Sequence, residues 1–210
     1  MAIESVCQQV SSLVEKPVMI VNTAKGFHPT THERMSVIIK RSMDESKLVD
    51  VVSLIGPSHA EEVVRRMYTT VNAVCENIES AKVIQQLFSN EYFRVYHSSD
   101  VVGSEIAVAI KNVIALGSGI STGLGLGDNA RAGLMTRGLA EMARFGMAFG
   151  ADMKTFMGLC GIGDLIVTCT SHHSRNFQAG LMIGEANSAE AFWEKNTKTV
   201  RIICSVLFIL

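Results

Sequence analysis

The chain carries no excess of charge of either sign: 19 lysines and arginines stand against 20 aspartates and glutamates, a formal net charge of -1. That balance excludes the basic footprint of a nucleic-acid binder and the polybasic patch of a membrane-surface protein. A disulfide framework is missing too. Cys7, Cys75, Cys160, Cys169 and Cys204 are odd in number and irregular in spacing, which suits a reducing cytosol. Met1 to Gln9 has neither the basic start nor the apolar centre of a signal peptide. The apolar tail from Val200 to Leu210 is broken by Arg201 and is too short to span a bilayer. Internal repeats and low-complexity tracts are also absent. The expectation is a cytoplasmic protein with no membrane span and no nucleic-acid partner.

What is present is enough apolar material for a core, 48% hydrophobic against 19% charged residues, in a length of one large domain or two small ones. Through the first half, β-rich runs at Val18–Asn22, Val49–Ile55, Thr69–Val74 and Phe93–His97 alternate with helical periodicity at Glu4–Val14, His32–Ser46, His59–Arg66 and Ile78–Leu87. That alternation predicts α/β architecture with a parallel or mixed sheet. Beyond Asp100 the strand signal stops, and Val102–Ser118, Asn129–Phe149 and Asp164–Cys169 read as helices joined by glycine-rich loops. The fold class is therefore α/β followed by all-α, with domains over 1–99 and 100–210. The edges read as those of a fragment, because the first element is a helix and the last is half an apolar helix without a cap.

Lys111 lies at the centre of the most apolar of these helices, beside Asn112 and with Glu105 as the remaining charge. A helix apolar on every side belongs in a core, and an unpaired ammonium there is costly, so Lys111 needs a partner or a polar cleft. One and two turns away stand Ser104, Ala107, Val108, Ile114, Ala115 and Ser118, most of them small enough to leave room beside the lysine. A lysine snorkelling at the core's edge and a functional lysine stand level on this feature alone.

Four further clusters bear chemistry. Lys25, in Thr23-Ala24-Lys25-Gly26, follows a strand, on the side of an open sheet where ligands bind; a surface turn is the plainer reading. Gly56-Pro57-Ser58-His59-Ala60-Glu61 ends another strand, with Ser58 placed to cap a helix start that attracts anions. Gly123-Leu124-Gly125-Leu126-Gly127 has the spelling of a dinucleotide turn but follows a helix, so it is read as a flexible turn with Asp128 or Asn129 capping the next helix. The fourth is the strongest. Gly158-Leu159-Cys160-Gly161-Ile162-Gly163 delivers Asp164 to a helix start with Thr168 one turn on, and Ser174-Arg175-Asn176 sets a hydroxyl, a guanidinium and an amide at another, a combination suited to phosphate. Cys160, Cys169, His172 and His173 match no zinc spacing, so no metal is expected.

These strings, with Tyr96, Asp100-Val101-Val102-Gly103-Ser104-Glu105, Lys111-Asn112-Val113-Ile114-Ala115, Asn129-Ala130, Thr136-Arg137-Gly138, Gly161-Ile162-Gly163-Asp164-Leu165 and Thr168-Cys169, occur in an order that closely resembles the bacterial-type NAD(P)-dependent glycerol-3-phosphate dehydrogenases, from about Glu4 to Thr199. The resemblance implies a Rossmann-like nucleotide-binding domain, incomplete here, and a helical substrate domain of the 6-phosphogluconate dehydrogenase C-terminal type. It implies interconversion of sn-glycerol 3-phosphate and dihydroxyacetone phosphate with NAD or NADP as cofactor, feeding glycerophospholipid synthesis. Independently of the resemblance, a homodimer is the default assembly for an oligomer. By the same resemblance Lys111 is the general base, with Lys25, Asp164, Asn112 and Thr168 completing the catalytic group. Lys25, Gly56, Ser58, Lys111, Asp164, Ser174, Arg175 and Asn176 match substrate-binding positions, and Lys25, Ala60 and Arg175 cofactor-binding ones.

Two departures stand out. The family opens on a strand and a Gly-x-Gly-x-x-Gly/Ala turn that has no counterpart before Glu4, and it has a glutamate near where Arg201 stands. An inactive or impaired chain is expected on that ground. A non-catalytic phosphate-binding or interaction fragment is the alternative, and a related 6-phosphogluconate or 3-hydroxyacid dehydrogenase ranks lower.

Overall fold

The structure, a computed structural model, describes residues 2–188. Helix α1 (Ala2–Leu13) leads into β1 (Val18–Asn22), then α2 (Met35–Ser42), β2 (Leu48–Ile55), the single turn α3 (Ala60–Val63), β3 (Thr69–Val74), α4 (Ile78–Phe88) and β4 (Phe93–Ser98). The strands lie in the order β1-β2-β3-β4, with β1–β2 and β3–β4 parallel and β2–β3 antiparallel. The sheet is thus mixed. Its two-residue period divides the core: Val51 packs with Cys7, Ile39 and Met43 of α1 and α2, while its neighbour Val52 packs on the other face with Val71, Val95 and, from α4, Ala81 and Ile84.

The helical half follows as α5 (Val101–Gly123), α6 (Gly127–Ala148), the turn α7 (Met153–Phe156), a π-helical turn (Leu159–Gly163), α8 (Asp164–Thr170) and α9 (Arg175–Ala186). Asp100 starts α5, since its carboxylate accepts the Gly103 N–H at 2.8 Å and, through its other oxygen, the Asp152 N–H and the Thr155 hydroxyl. Ile106, Ile110 and Ile114 of α5 meet Met142 and Ala143 of α6, Phe156 of α7, and Leu165 and Cys169 of α8 in one core. Against α9 the approach is backbone to backbone: a Cβ on Gly119 would lie 2.1 Å from the Phe177 carbonyl oxygen, and one on Gly180 2.1 Å from that of Leu116. By length and composition α5 could cross a membrane, but two thirds of its most apolar stretch (67%) is buried under its neighbours. Met153–Thr170 is also apolar enough, and is broken at Met157 and Gly158.

Several expectations about elements change. The His32–Ser46 helix contracts to α2, because His32 takes a left-handed φ of 60° and Asp44 folds back onto the Ser46 N–H to open a separate 3-10 turn, Glu45–Lys47. His59–Arg66 contracts to the single turn of α3, and the loop after it turns back at Arg66, whose φ is 57°. Ser58 does not cap α3: the capping position is His59, and the Ser58 hydroxyl donates to the Gly56 carbonyl at 3.1 Å. Neither Asp128 nor Asn129 caps α6, which starts one residue earlier at Gly127; Asp128 pairs instead with Arg131, one turn on. The apolar tail from Val200 to Leu210 lies outside the described residues.

Candidate active site

Lys111 has a partner. It is 2% exposed on α5, and its Nζ lies 2.5 Å from Oδ1 of Asp164, itself 1% exposed. Asp164 reaches it because the π turn feeds directly into α8, making Asp164 the first residue of that helix with its carboxylate turned toward α5. One turn later the Thr168 hydroxyl accepts from Lys111 Nζ at 3.0 Å and donates to the Asp164 carbonyl at 2.5 Å. The lysine is therefore held by a carboxylate and a hydroxyl from two turns of one short helix. From the other side comes Lys25, on the loop after β1, with Nζ 3.9 Å from Asp164 Oδ2. That oxygen is buried and accepts no hydrogen bond among the described residues.

The electrostatics follow from this arrangement. Burial lowers the Lys111 pKa most, the Asp164 carboxylate raises it, and the nearby positive charge of Lys25 lowers it again, leaving it at about 8 against an ordinary 10.5. The thiols nearby move the other way. Burial pushes Cys160 up to about 11 and Cys169 to about 12, so both are neutral and inert near pH 7. Among the described residues no group of three histidine, cysteine or acidic side chains is arranged to hold a metal.

The other sequence-selected residues are placed around this centre. Gly56 has a φ of 155°, and a Cβ there would lie 2.9 Å from the Val71 Cα, so only glycine lets β2 end this close to β3. The loop it opens leans on the helical half: the His59 and His173 rings are 5.8 Å apart, and a Cβ on Gly163 would lie 3.9 Å from Pro57. Ser174 caps α9 by accepting the Phe177 N–H at 3.3 Å, leaving Arg175 exposed and Asn176 half-buried in its first turn; Ala60 is exposed at the start of α3. Asn112 turns away from the lysine pair, its amide donating to the Val108 carbonyl at 3.3 Å. Among the described residues no hydrogen bond joins Asn112, Ser58, Ser174, Arg175 or Asn176 to Lys111 or Asp164. Sequence reasoning noticed Glu105 only as an exception in an apolar helix. It is 4% exposed and accepts four hydrogen bonds, and its signal was the same as that of Lys111: a charge at a position that must be buried.

Comparison with known proteins agrees over most of the chain. Residues 1–81 match the family described as NAD-dependent glycerol-3-phosphate dehydrogenase N-terminus, and residues 100–205 the corresponding C-terminus. Glycerol-3-phosphate dehydrogenase [NAD(P)+] of Listeria monocytogenes is 50% identical over 194 residues, and that of Bacillus mycoides 51% over 193; each alignment takes in 92% of this chain and 57% of the relative. The chain thus spans little more than half the length of these curated relatives. Among solved structures, glycerol-3-phosphate dehydrogenase of Coxiella burnetii aligns with a TM-score of 0.87 at 31% identity, over all of this chain and 63% of that one. The Saccharomyces cerevisiae protein aligns at 0.80 and 27% identity, over 99% and 61%. The fold is that of a dehydrogenase with a Rossmann-like α/β half and a helical half. Within that class the chain belongs to the NAD(P)-dependent glycerol-3-phosphate dehydrogenase family, whose cofactor is NAD or NADP.

Proposed function

We propose that this chain carries the substrate-side machinery for interconverting sn-glycerol 3-phosphate and dihydroxyacetone phosphate. The observation that carries the reading is the buried Lys111–Asp164–Thr168 group, whose one unpaired acceptor, Asp164 Oδ2, lies beside Lys25. In the oxidation direction the C2 hydroxyl gives its proton to neutral Lys111 Nζ, and the Asp164 carboxylate stabilises the ammonium that forms. In reduction the ammonium returns the proton. With a pKa of about 8, roughly one lysine in ten is neutral at pH 7, so both forms are at hand. Thr168 aims the amine, and Lys25 offsets negative charge on the substrate. The phosphate rests at the start of α9, whose first turn carries Arg175 and Asn176 behind the Ser174 cap.

A nicotinamide, when bound, supplies or accepts the hydride. A dinucleotide's pyrophosphate needs a glycine turn between strand and helix, and among the described residues the Gly123–Gly127 turn joins two helices instead. The same reading assigns residues 1–99 to nucleotide binding and 100–210 to substrate binding. It places the protein in the cytoplasm, as a homodimer supplying glycerophospholipid synthesis.

The test is calorimetric titration of glycerol 3-phosphate, with glycerol as control, alongside an absorbance assay of dihydroxyacetone phosphate reduction at the nicotinamide band. Glycerol 3-phosphate should bind and glycerol should not, and Arg175→Ala should abolish the binding. Any turnover should fall about 10²–10⁴-fold in Lys111→Ala. Binding without turnover would favour the phosphate-binding alternative, and no binding of the phosphate ester would overturn the reading.

A further inference from the structure

Glu105 lies on the same helix as Lys111, six residues earlier, and its carboxylate grips both ends of the loop that bears Lys25. At the near end, Glu105 Oε1 accepts from the Ser53 hydroxyl at 3.0 Å, and Ser53 Oγ accepts from Asn22 Nδ2 at 3.3 Å. Asn22 Oδ1 accepts from the Ala24 N–H at 2.9 Å, one residue before Lys25. At the far end, where the loop enters α2, Oε1 also accepts the Ser36 N–H at 3.0 Å. Oε2 takes the Ser36 hydroxyl at 2.7 Å and the Arg34 guanidinium at 3.4 Å. Glu105, Ser53, Asn22 and Ser36 are all buried. A fully satisfied buried network of this kind has one low-energy arrangement, so it transmits position rather than merely filling space.

The path closes on itself. From Glu105 it runs through Ser53 and Asn22 to Lys25, across 3.9 Å to Asp164 Oδ2, from Oδ1 to Lys111 at 2.5 Å, and back down α5 to Glu105. We infer that Glu105 is a positioning residue: by anchoring the Lys25 loop to the helix of Lys111, it fixes the approach of the two lysines to the single Asp164 carboxylate. The inference rests on the reading of Lys111 as the proton-handling group. Among the described residues the charged neighbours that act on Lys111 are Asp164 from α8 and Lys25 from the loop, while the Cys169 thiol on α8 is neutral.

The experiment is an NMR titration of Lys111 in the full chain with isotope-labelled lysine, its resonance identified by its loss in Lys111→Arg. Lys25→Met removes a like charge and should raise the Lys111 midpoint by about one unit. Ser53→Ala changes no charge and cuts the near link, so it should raise the midpoint in the same direction, and should add nothing on the Lys25→Met background. Glu105→Gln should also raise it. The direct loss of a carboxylate would lower it, so a rise is transmitted only through Lys25. An unchanged or lowered midpoint in Ser53→Ala, or an equal shift in the absence of Lys25, would overturn the inference. This readout needs no turnover, so it fails or stands separately from the substrate-binding test.

Discussion

Lys111 and Asp164 form a buried ion pair, and the two partners do not depend on each other equally. Without Asp164, the lysine can shed its proton, since burial already holds its pKa at about 8. Without Lys111, a carboxylate that is 1% exposed keeps, among the described residues, only Lys25, at 3.9 Å, as a counter-charge. Asp164→Asn should therefore fold and shift the Lys111 midpoint below 8, because the one carboxylate favouring the ammonium is gone; a midpoint at or above 8 would contradict the electrostatics. Lys111→Met should lose about 3–5 kcal/mol in urea unfolding. The double replacement Lys111→Met with Asp164→Leu should recover most of that loss. Such recovery would show that stability does not require the pair. Lys111 was legible in the sequence because an ammonium has no place in an apolar helix without a partner. Its partner was legible only as an acid at a helix start.

At the scale of elements, the helical half is organised by how closely α9 lies on α5. The contact is made through glycines at 119, 123, 180 and 184, where an added Cβ would meet backbone of the facing helix. Backbone cannot step aside as a side chain can. Gly180→Ala should therefore destabilise by about 1–3 kcal/mol or more, despite alanine's better helix propensity. Gly133 in α6 is the internal control, since a Cβ there meets nothing within 4 Å. Gly133→Ala should stabilise by about 0.5–1 kcal/mol. Thermal melts of the two variants should move in opposite directions; both moving the same way would show that α9 can shift on α5. The position of α9 bears on the proposed phosphate site because its first turn follows Ser174 and holds Arg175 and Asn176.

For the whole molecule, the shifted groups set how stability depends on pH. Lys111 is depressed in the folded state, so the unfolded chain binds more protons between pH 8 and 10.5, and stability rises with pH across that window. Cys160 and Cys169 are raised from 9 to about 11 and 12, so above pH 9 the unfolded chain loses protons that the fold retains, and stability falls. Burial raises Cys7 and Cys75 as well, and one lysine against four thiols gives a net decline above pH 9. Urea midpoints measured from pH 7 to 10 should peak between pH 8 and 9, and the rise leading to that peak should vanish in Lys111→Met. A monotonic curve in the parent chain would mean that these groups are not shifted as their burial requires.

Local chemistry determined a good deal on its own. The strand cores at Val18–Asn22 and Thr69–Val74, the long helix around Lys111, the Asp164 helix start and the Ser174 cap are each set by residues adjacent in sequence, by period, cap or β-branching. What those residues could not specify was anything that depends on a distant neighbour. The His32–Ser46 helix was cut short by the left-handed turn at His32, and Ser58 bonds back to Gly56 rather than capping α3. The antiparallel join of β2 to β3 depends on which edges meet. The site itself is the clearest case. Lys25, Lys111 and Asp164 lie far apart in the chain and come within a few ångströms only because α8 packs on α5 and the β1 loop is tied to α5 through Glu105. Electrostatic coupling acts through space, so the residue types were readable from the sequence, while their charge states and partners were decided by the tertiary fold.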